Sequence, residues 1–438
     1  MISTHLPVLQ VVLPLLAAPV CVIIQQRTVS WLIATIFSFI SLIISCLLLH
    51  EINTSGNISY AIGGWIGSAG IEYYIDRLTI FMLLIVNGIG LLVLLAAKQS
   101  IENEIAADRH YLFYAAFLLN LTGLLGVIVT GDAFNLFVFI EIASLSSYAM
   151  ISISRDRRSL YAAFRYLILG TIGASFILIS IGLLYDITGT LNIADIYQHL
   201  PDVSNKNTLL TAIVFFTVGI GLKAAIFPLH TWLPDAYSYS PSIVSTFLAG
   251  TTTKVFIYVL IRFIYSLFGY ELSFDQAAFH YLLMLMACVG ILVGSYQAIR
   301  QDSIKRLLAY SSIAQISYMV LGISMATQLG LLASLVHIFN HAIIKVSLFL
   351  AIVNIIYYAR TDSLAELGGL AKQMPFTMAC FLIGGLSLIG VPLTAGFISK
   401  WYLIQASLAA GYWPLVVLIV FSSILAVVYV WKIIETVY

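Results

Sequence analysis

The sequence has 438 residues, of which 61% are apolar and only 9% are charged, with a net charge of +1. A soluble domain carries about 25% charged residues, so this composition excludes a soluble enzyme and a disordered chain. The near-neutral balance excludes a nucleic-acid binder as well. What remains is a polytopic protein of the lipid bilayer.

Thirteen apolar runs are long enough to cross a bilayer as helices. A bilayer core takes roughly 20 residues of helix, whereas barrel strands are shorter and alternate polar with apolar residues. The runs, called spans 1 to 13, lie at 6–24, 30–49, 78–97, 111–130, 133–153, 161–184, 209–229, 242–264, 279–299, 307–326, 329–357, 376–405 and 411–433. The sequence therefore predicts an all-α membrane protein with thirteen visible transmembrane helices.

The loops between the spans differ in positive charge. Twelve Lys and Arg residues fall on one side, and only Arg77 and Lys206 fall on the other. Because positively charged loops stay in the cytoplasm, we expect the N-terminus outside and the chain in the inner (plasma) membrane of the cell. The first run lacks the basic start of a cleavable signal, so we expect it to remain as a span.

Five charged residues fall deep inside spans: Glu141, Lys223, Lys254, Lys345 and Lys400. Each costs about 2.5–3.5 kcal/mol at the centre of a helix, so all five must face protein or water. Glu141 is the only carboxylate among them and can pair with one lysine at most. The other lysines indicate groups that take up and release protons, with a packing role as the alternative.

Span 11 carries His337, His341 and Lys345 at intervals of four residues, which puts them on one face of a helix. This pattern favours a proton relay. A haem would need histidines on facing sides of its ring, so neither haem nor another cofactor is predicted. The four cysteines form no C-x-x-C pair, and no metal site is predicted.

Proline and glycine interrupt two spans beside a buried lysine. Pro228 follows Lys223 in span 7, and Gly390 and Pro392 precede Lys400 in span 12. These positions predict discontinuous helices of the kind found in inverted-repeat transporters, with a simple proline kink as the alternative.

Three further charged or titratable residues lie near span ends. His230 and Asp235 follow span 7, where they either admit protons or cap and anchor a turn. Arg262 lies near the outer end of span 8, and we expect its head group to reach the aqueous phase.

Several segments resemble the antiporter-like subunits shared by Mrp-type Na⁺/H⁺ antiporters and respiratory complex I, most of all the D subunits of Mrp antiporters. The resemblance runs from about residue 60 to 435 and is carried by IGGWIGSAGIEYYIDRL, GLKAAIFPLHTWLPDAYSYSPS, KRLLAYSSIAQISY and HIFNHAIIKVSLFL. It implies fourteen helices, one more than is visible here, and two inverted five-helix repeats. We therefore expect N-terminal helices over 1–110, a first repeat over 111–264 and a second over 279–433.

The same resemblance implies a role for the buried groups. Glu141 and Lys223 match the family's charged pair, and Lys254, His337, His341, Lys345 and Lys400 match its polar axis through the middle of the membrane. A proton-translocating subunit of a multisubunit cation/H⁺ antiporter fits best. The alternatives are a proton-pumping membrane subunit of a redox complex (NADH:quinone oxidoreductase or membrane-bound hydrogenase) and a passive scaffold, against which the buried lysines argue. The expected partners are other membrane subunits, protons and, for an antiporter, sodium.

Overall fold

A computed structural model describes residues 3–65, 70–270, 272 and 279–438, and these residues are predominantly helical. Two short strands, β1 (Ile58–Ala61) and β2 (Glu72–Ile75), pair in an antiparallel hairpin between the second and third helices. The helices, in chain order, are α1 (Leu6–Ile24), α2 (Arg27–Ser55), α3 (Arg77–Glu104), α4 (His110–Val129), α5 (Ala133–Ser152), α6 (Arg158–Thr188), α7 (Ile193–His199), α8 (Lys206–Ala224), α9 (Leu233–Tyr239), α10 (Ser242–Gly250), α11 (Thr252–Arg262), α12 (Phe279–Ile299), α13 (Ile304–Ser324), α14 (Gln328–Ala359), α15 (Leu370–Gln373), α16 (Pro375–Ile389), α17 (Ala395–Ala409) and α18 (Trp413–Val437).

Within the described residues, twelve helical segments are long and apolar enough to cross a membrane. The remaining predicted span, 376–405, is divided between α16 and α17, each of 15 residues. The prediction of a polytopic helical membrane protein is therefore confirmed, with twelve of the thirteen predicted spans present as single candidate spans in the described residues. Span 8 differs in detail, because it consists of α10 and α11 with a backbone break at Thr251, followed by a π-helical turn over Phe263–Leu267.

The chain divides into two compact units. Unit 1 comprises Met1–Lys223 and Val255–Leu272, and unit 2 comprises Ala224–Lys254 and Ser273–Tyr438. In unit 1 helix α4 is strongly enclosed and packs against α1 and α5. A Cβ atom on Gly123 would come within 2.5 Å of the backbone nitrogen of Ala143, so glycine lets α4 and α5 approach closely.

Unit 2 is built around α13, which lies between α12 and α14 and is almost wholly buried. A Cβ atom on Gly294 would come within 2.7 Å of the backbone nitrogen of Ala314, so α12 and α13 also touch through a glycine. The long helix α14 in turn packs against α10, α16 and α17. The buried lysines and the histidine pair of unit 2 discussed below lie on α14, α17 or α11.

A partly buried ion pair lies at one end of unit 1. Asp76 caps the first turn of α3 by accepting a hydrogen bond from the backbone nitrogen of Thr79 at 2.9 Å. Both terminal nitrogens of Arg262 donate to the same carboxylate, and Arg262 Nε donates to the Tyr258 hydroxyl at 2.9 Å. The Arg262 side chain is only 17% exposed. A carboxylate distant in sequence supplies its counter-charge, and the expectation that the head group reaches the aqueous phase stays a prediction.

The Asp76→Asn variant should lower the free energy of unfolding of the solubilised protein by about 3 kcal/mol, because it leaves Arg262 buried without a counter-charge. Thermal unfolding of the purified variant measures this loss. The matched control is Asp302→Asn, since Asp302 pairs with Lys432 but is 91% exposed, and its loss should cost less than about 1 kcal/mol. Equal losses of unfolding free energy in the two variants would show that burial of the Asp76–Arg262 pair adds nothing to stability.

The Asp76–Arg262 ion pair also makes the stability of the protein depend on pH. Burial alone would raise the pKa of Asp76, but the hydrogen bonds and charge of Arg262 outweigh it and hold the pKa below its ordinary value of 3.8. A carboxyl group whose pKa is lower in the folded state than in the unfolded state stabilises the protein at any pH above the unfolded-state pKa. This stabilisation is lost as the pH falls through the folded-state pKa. The difference between wild type and Asp76→Asn should therefore stay constant from about pH 5 to 8 and shrink only in stronger acid.

Candidate functional site

In unit 1 the structure brings together the two buried charges of opposite sign. Lys223 lies in the last turn of α8 and is fully buried. Its Nζ donates to Glu141 Oε1 at 3.1 Å and to Ser144 Oγ at 2.7 Å. Glu141 and Ser144 stand three residues apart on α5, the spacing that places two side chains on one face of a helix. Glu141 keeps 25% of its side chain exposed, so one charge of the pair is enclosed and the other is accessible.

The helix that carries Lys223 ends one residue later. A Cβ atom on Gly219 would come within 2.6 Å of the carbonyl oxygen of Gly173, so α8 lies directly against α6 at this level. The chain then leaves the helix at Ala225, whose φ is +56°, and becomes helical again only at Leu233. The break predicted around Pro228 is therefore present, although it begins three residues before the proline.

In unit 2 two lysines are buried without a carboxylate. Lys254 donates to the carbonyl oxygen of Ala249, which the break between α10 and α11 leaves without a helical partner. Lys345 donates to the carbonyl oxygen of Leu308 at 2.8 Å and to Ser311 Oγ at 2.6 Å. Both side chains are at most 1% exposed, and among the described residues neither forms an ion pair. Carbonyl and hydroxyl oxygens accept from a charged or a neutral amine, so these sites can hold either form.

The two histidines of α14 form a stacked pair. The rings of His337 and His341 are parallel within 2°, with centroids 6.1 Å apart, as their spacing of four residues predicts. His337 Nδ1 pairs with Ser399 Oγ at 2.9 Å. His337 Nε2 and both ring nitrogens of His341 are buried and have no hydrogen-bond partner among the described residues. Buried polar atoms of this kind are normally satisfied by water, so the face of α14 is suited to a hydrated proton path.

Lys400 stands at the second helix break. Its Nζ donates to the carbonyl oxygen of Ile389 at 2.8 Å, at the end of α16, and to Ser423 Oγ on α18 at 3.0 Å. It also lies 5.2 Å from the centre of the Tyr318 ring, which in turn packs 5.6 Å from the ring of His337. A chain of contacts therefore joins Lys400 to the histidine pair through an aromatic ring.

Glycine makes this break possible. Gly390 ends α16 with a φ of +89°, and Leu393 has a φ of +73°. A Cβ atom on Gly396 would come within 1.8 Å of the carbonyl oxygen of Ser387, and the Gly396 nitrogen donates to Ser387 Oγ at 3.1 Å. The start of α17 therefore touches the end of α16 with no room for a side chain, which fixes the position of Lys400 one turn later. The predicted discontinuity of span 12 is confirmed.

The Gly396→Ala variant should push α17 away from α16 and lower transport by about tenfold, because a shift of 1 Å at a functional group is enough for an effect of this size. The matched control is Gly182→Ala in α6, where nothing lies within 4 Å of the added Cβ atom. Ion transport by the reconstituted complex, normalised to the amount of assembled complex, measures both variants. Full transport by Gly396→Ala would mean that the contact does not position Lys400.

His230 and Asp235 both lie in buried surroundings. Asp235 pairs with Arg306 at 3.3 Å, and its side chain is 9% exposed. His230 stacks on Phe227 with ring centroids 5.3 Å apart. The pairing of Asp235 supports an anchoring role for that residue, and a role of either residue in admitting protons stays a prediction.

The structure shows several neutral side chains in the site that the sequence analysis did not predict. Ser144, Ser399 and Ser423 bind the titratable groups directly, and Tyr318 separates Lys400 from His337. Ser144 could have been found from its spacing to Glu141. The others could not, because serine and tyrosine are common in membrane helices and mark no site by themselves.

Comparison with known proteins identifies the class of this arrangement. The family described as NADH:quinone oxidoreductase/Mrp antiporter, TM, matches residues 130–426. The chain belongs to this family of antiporter-like membrane subunits. It is 40% identical to the N subunit of the NADH-quinone oxidoreductase of Desulforudis audaxviator, over 100% of this chain and 87% of that protein. It is 31% identical to the D subunit of the Na(+)/H(+) antiporter of Alkalihalophilus pseudofirmus, over 84% of this chain and 73% of that protein.

Solved structures agree with this assignment. A structure of the membrane-bound sulfane sulfur reductase, an archaeal respiratory membrane complex, has a chain with a TM-score of 0.93 and 30% identity, covering 99% of this chain and 88% of that chain. The Mrp complex from Dietzia sp. has a chain with a TM-score of 0.92 and 26% identity, covering 100% of this chain and 80% of that chain. Both are subunits of multisubunit membrane complexes, so this multi-pass protein belongs to a family whose members work among other membrane subunits.

Proposed function

We propose that the chain is a proton-translocating subunit that relays protons along its buried titratable groups. The observation that carries this proposal is the set of three buried lysines in unit 2, which have only carbonyl and hydroxyl oxygens as hydrogen-bond partners among the described residues. A permanently charged, unpaired lysine is costly inside a membrane, whereas a lysine that exchanges its proton is a useful carrier. The stacked histidines beside them, with unpartnered ring nitrogens, support the same reading.

In this mechanism the first charged pair controls the relay and the second set of groups carries it. When the contact between Lys223 and Glu141 opens or closes, the local electric field changes and alters the proton affinity of the groups that follow. The proton then moves along Lys254 and the His337, His341 and Lys345 face to Lys400. The first inverted repeat, 111–264, would then hold the controlling pair and Lys254, and the second, 279–433, would hold the histidines, Lys345 and Lys400, with His230 and Asp235 admitting protons.

The first candidate assembly is a multisubunit Na⁺/H⁺ antiporter. The similarity to an antiporter D subunit and to a chain of the Mrp complex supports it. Sodium would then cross in a partner subunit, because Glu141 is the single carboxylate deep in a predicted span of this chain. The protein would lie in the plasma membrane with its N-terminus outside, as the positive charge of the loops predicts.

The second candidate assembly is the membrane part of a redox complex. It is favoured by the 40% identity to an NADH-quinone oxidoreductase subunit and by the similarity to a chain of the sulfane sulfur reductase. The same relay would serve there, with the redox centres on other subunits.

Isolation of the complex through a tag on this chain, followed by reconstitution into vesicles with a pH-sensitive dye inside, tests both candidates. A pH change driven by a sodium gradient, in a complex of membrane subunits only, would support the antiporter. A pH change that requires an electron donor, in a complex with flavin or iron–sulfur subunits, would support the redox complex. No pH change under either condition would contradict proton translocation altogether.

A further inference from the structure

A pocket opens at the end of unit 1 that carries the β-hairpin. It has a volume of about 370 Å³, within the range of sites that hold small organic molecules. Its wall is made by β2, the start of α3, the turn between α4 and α5, α7 and the end of α11. The charged and aromatic residues that line it are Glu72, Tyr74, Asp76, Tyr197, Tyr258 and Arg262.

The pocket carries one net negative charge. Arg262 is neutralised by Asp76, which accepts hydrogen bonds from both of its terminal nitrogens. Glu72 accepts from Ser59 Oγ and, at 2.7 Å, from Asn192 Nδ2, and both of these donors are neutral. Among the described residues no basic side chain pairs with Glu72. A ligand of this pocket should therefore bring a positive charge to Glu72.

The lining selects an organic ammonium group over a bare metal ion. A hard metal ion needs several oxygen ligands, whereas Glu72 is the single unpaired carboxylate in the described wall. Tyr74 and Tyr197 line the same pocket, and the faces of aromatic rings attract ammonium groups. Their side chains are 39% and 50% exposed, so a ligand can reach them.

The position of the pocket indicates where such a ligand comes from. It lies where α3 begins and α4 ends, at the ends of two membrane spans. Tyrosine is enriched at this level of a membrane, beside the lipid head groups. We propose that the pocket binds the primary ammonium group of an aminophospholipid head group of the phosphatidylethanolamine type, with Glu72 as its counter-charge. This proposal concerns a lipid site in unit 1 and does not depend on the proton relay.

The test uses the intact, detergent-solubilised complex and measures retained lipid by native mass spectrometry. Wild type should retain phosphatidylethanolamine at least about tenfold better than phosphatidylglycerol, which has the same phosphate but no ammonium group. The Glu72→Gln variant should lose this preference. The control is Glu51→Gln, the same change in the last turns of α2 at a residue outside the pocket wall. Equal retention of the two lipids, or an unchanged preference in Glu72→Gln, would overturn the proposal.

A second variant tests the pocket independently, in case Glu72→Gln fails to fold. Tyr197→Leu keeps an apolar side chain at a half-exposed position, and it should weaken phosphatidylethanolamine retention several-fold while the complex stays assembled. Soluble phosphoethanolamine serves to separate the two sources of an ammonium group. Displacement of the lipid by millimolar phosphoethanolamine would support a head-group site. Binding of phosphoethanolamine without any retained lipid would overturn the lipid assignment.

Discussion

The Lys223→Met variant should lower proton translocation by the assembled complex about tenfold or more, because it removes the cation whose contact with Glu141 controls the proton affinity of the groups that follow. Methionine fills a similar volume without a charge, so the fully buried site should still pack. Glu141 then loses its counter-charge, but its partly exposed carboxylate can be hydrated or protonated. Dye-monitored proton uptake, with assembly checked by gel filtration, measures the result.

The matched control is Lys206→Met, the same substitution at the first residue of the same helix, where the side chain is exposed. It should leave both transport and assembly unchanged. Glu141→Gln should reduce transport as strongly as Lys223→Met, since each variant removes one member of the pair. If Lys223→Met or Glu141→Gln transported protons at the wild-type rate, and Lys206→Met also had no effect, the proposed role of the pair would be contradicted.

The Lys400→Arg variant should keep the complex assembled and yet lose transport about tenfold or more, because arginine supplies hydrogen-bond donors but does not give up its proton. Lys400→Met should lose transport too and should in addition lower the thermal stability of the complex. Methionine cannot donate to the carbonyl oxygen of Ile389 or to Ser423 Oγ. Proton uptake and thermal unfolding, measured side by side, separate the two effects.

Lys432 provides a control of the same geometry. Its Nζ also donates to a carbonyl oxygen, that of Gln301 at 2.8 Å, but it stands beside the exposed Asp302. Lys432→Arg should therefore change neither transport nor stability. If Lys400→Arg transported protons at the wild-type rate, deprotonation of Lys400 could not be a step of the relay.

Local rules predicted the helices of this protein and the places where they break. Apolar length is enough to define a span, and glycine and proline beside a buried lysine predicted the interruption of spans 7 and 12. The break at Thr251 was not predicted, because no proline marks it. The structure adds a local hydrogen bond across it, from Lys254 to the carbonyl oxygen of Ala249.

Pairing between distant parts of the chain was predictable only where a single candidate existed. Glu141 was the one carboxylate deep in a predicted span, so its partner had to be a buried lysine, and the resemblance to the family pointed to Lys223. Arg262 is the opposite case. Its partner, Asp76, is 186 residues away at the start of another helix, and no local pattern connects the two. Interactions of this kind depend on how the helices pack, which hydrophobic periodicity does not specify.

The hydrogen bonds of Lys400 give the broken helix a mechanical property. An ammonium group has three N–H bonds to donate, whereas a neutral amine has two and gains a lone pair that repels a carbonyl oxygen. Lys400 ties the end of α16, through Ile389, to α18, through Ser423. If Lys400 exchanges its proton as proposed, the neutral amine would keep two N–H bonds for these two acceptors but would donate weaker hydrogen bonds than the ammonium group. Loss of the proton would then weaken the link between α16 and α18, and uptake of a proton would strengthen it.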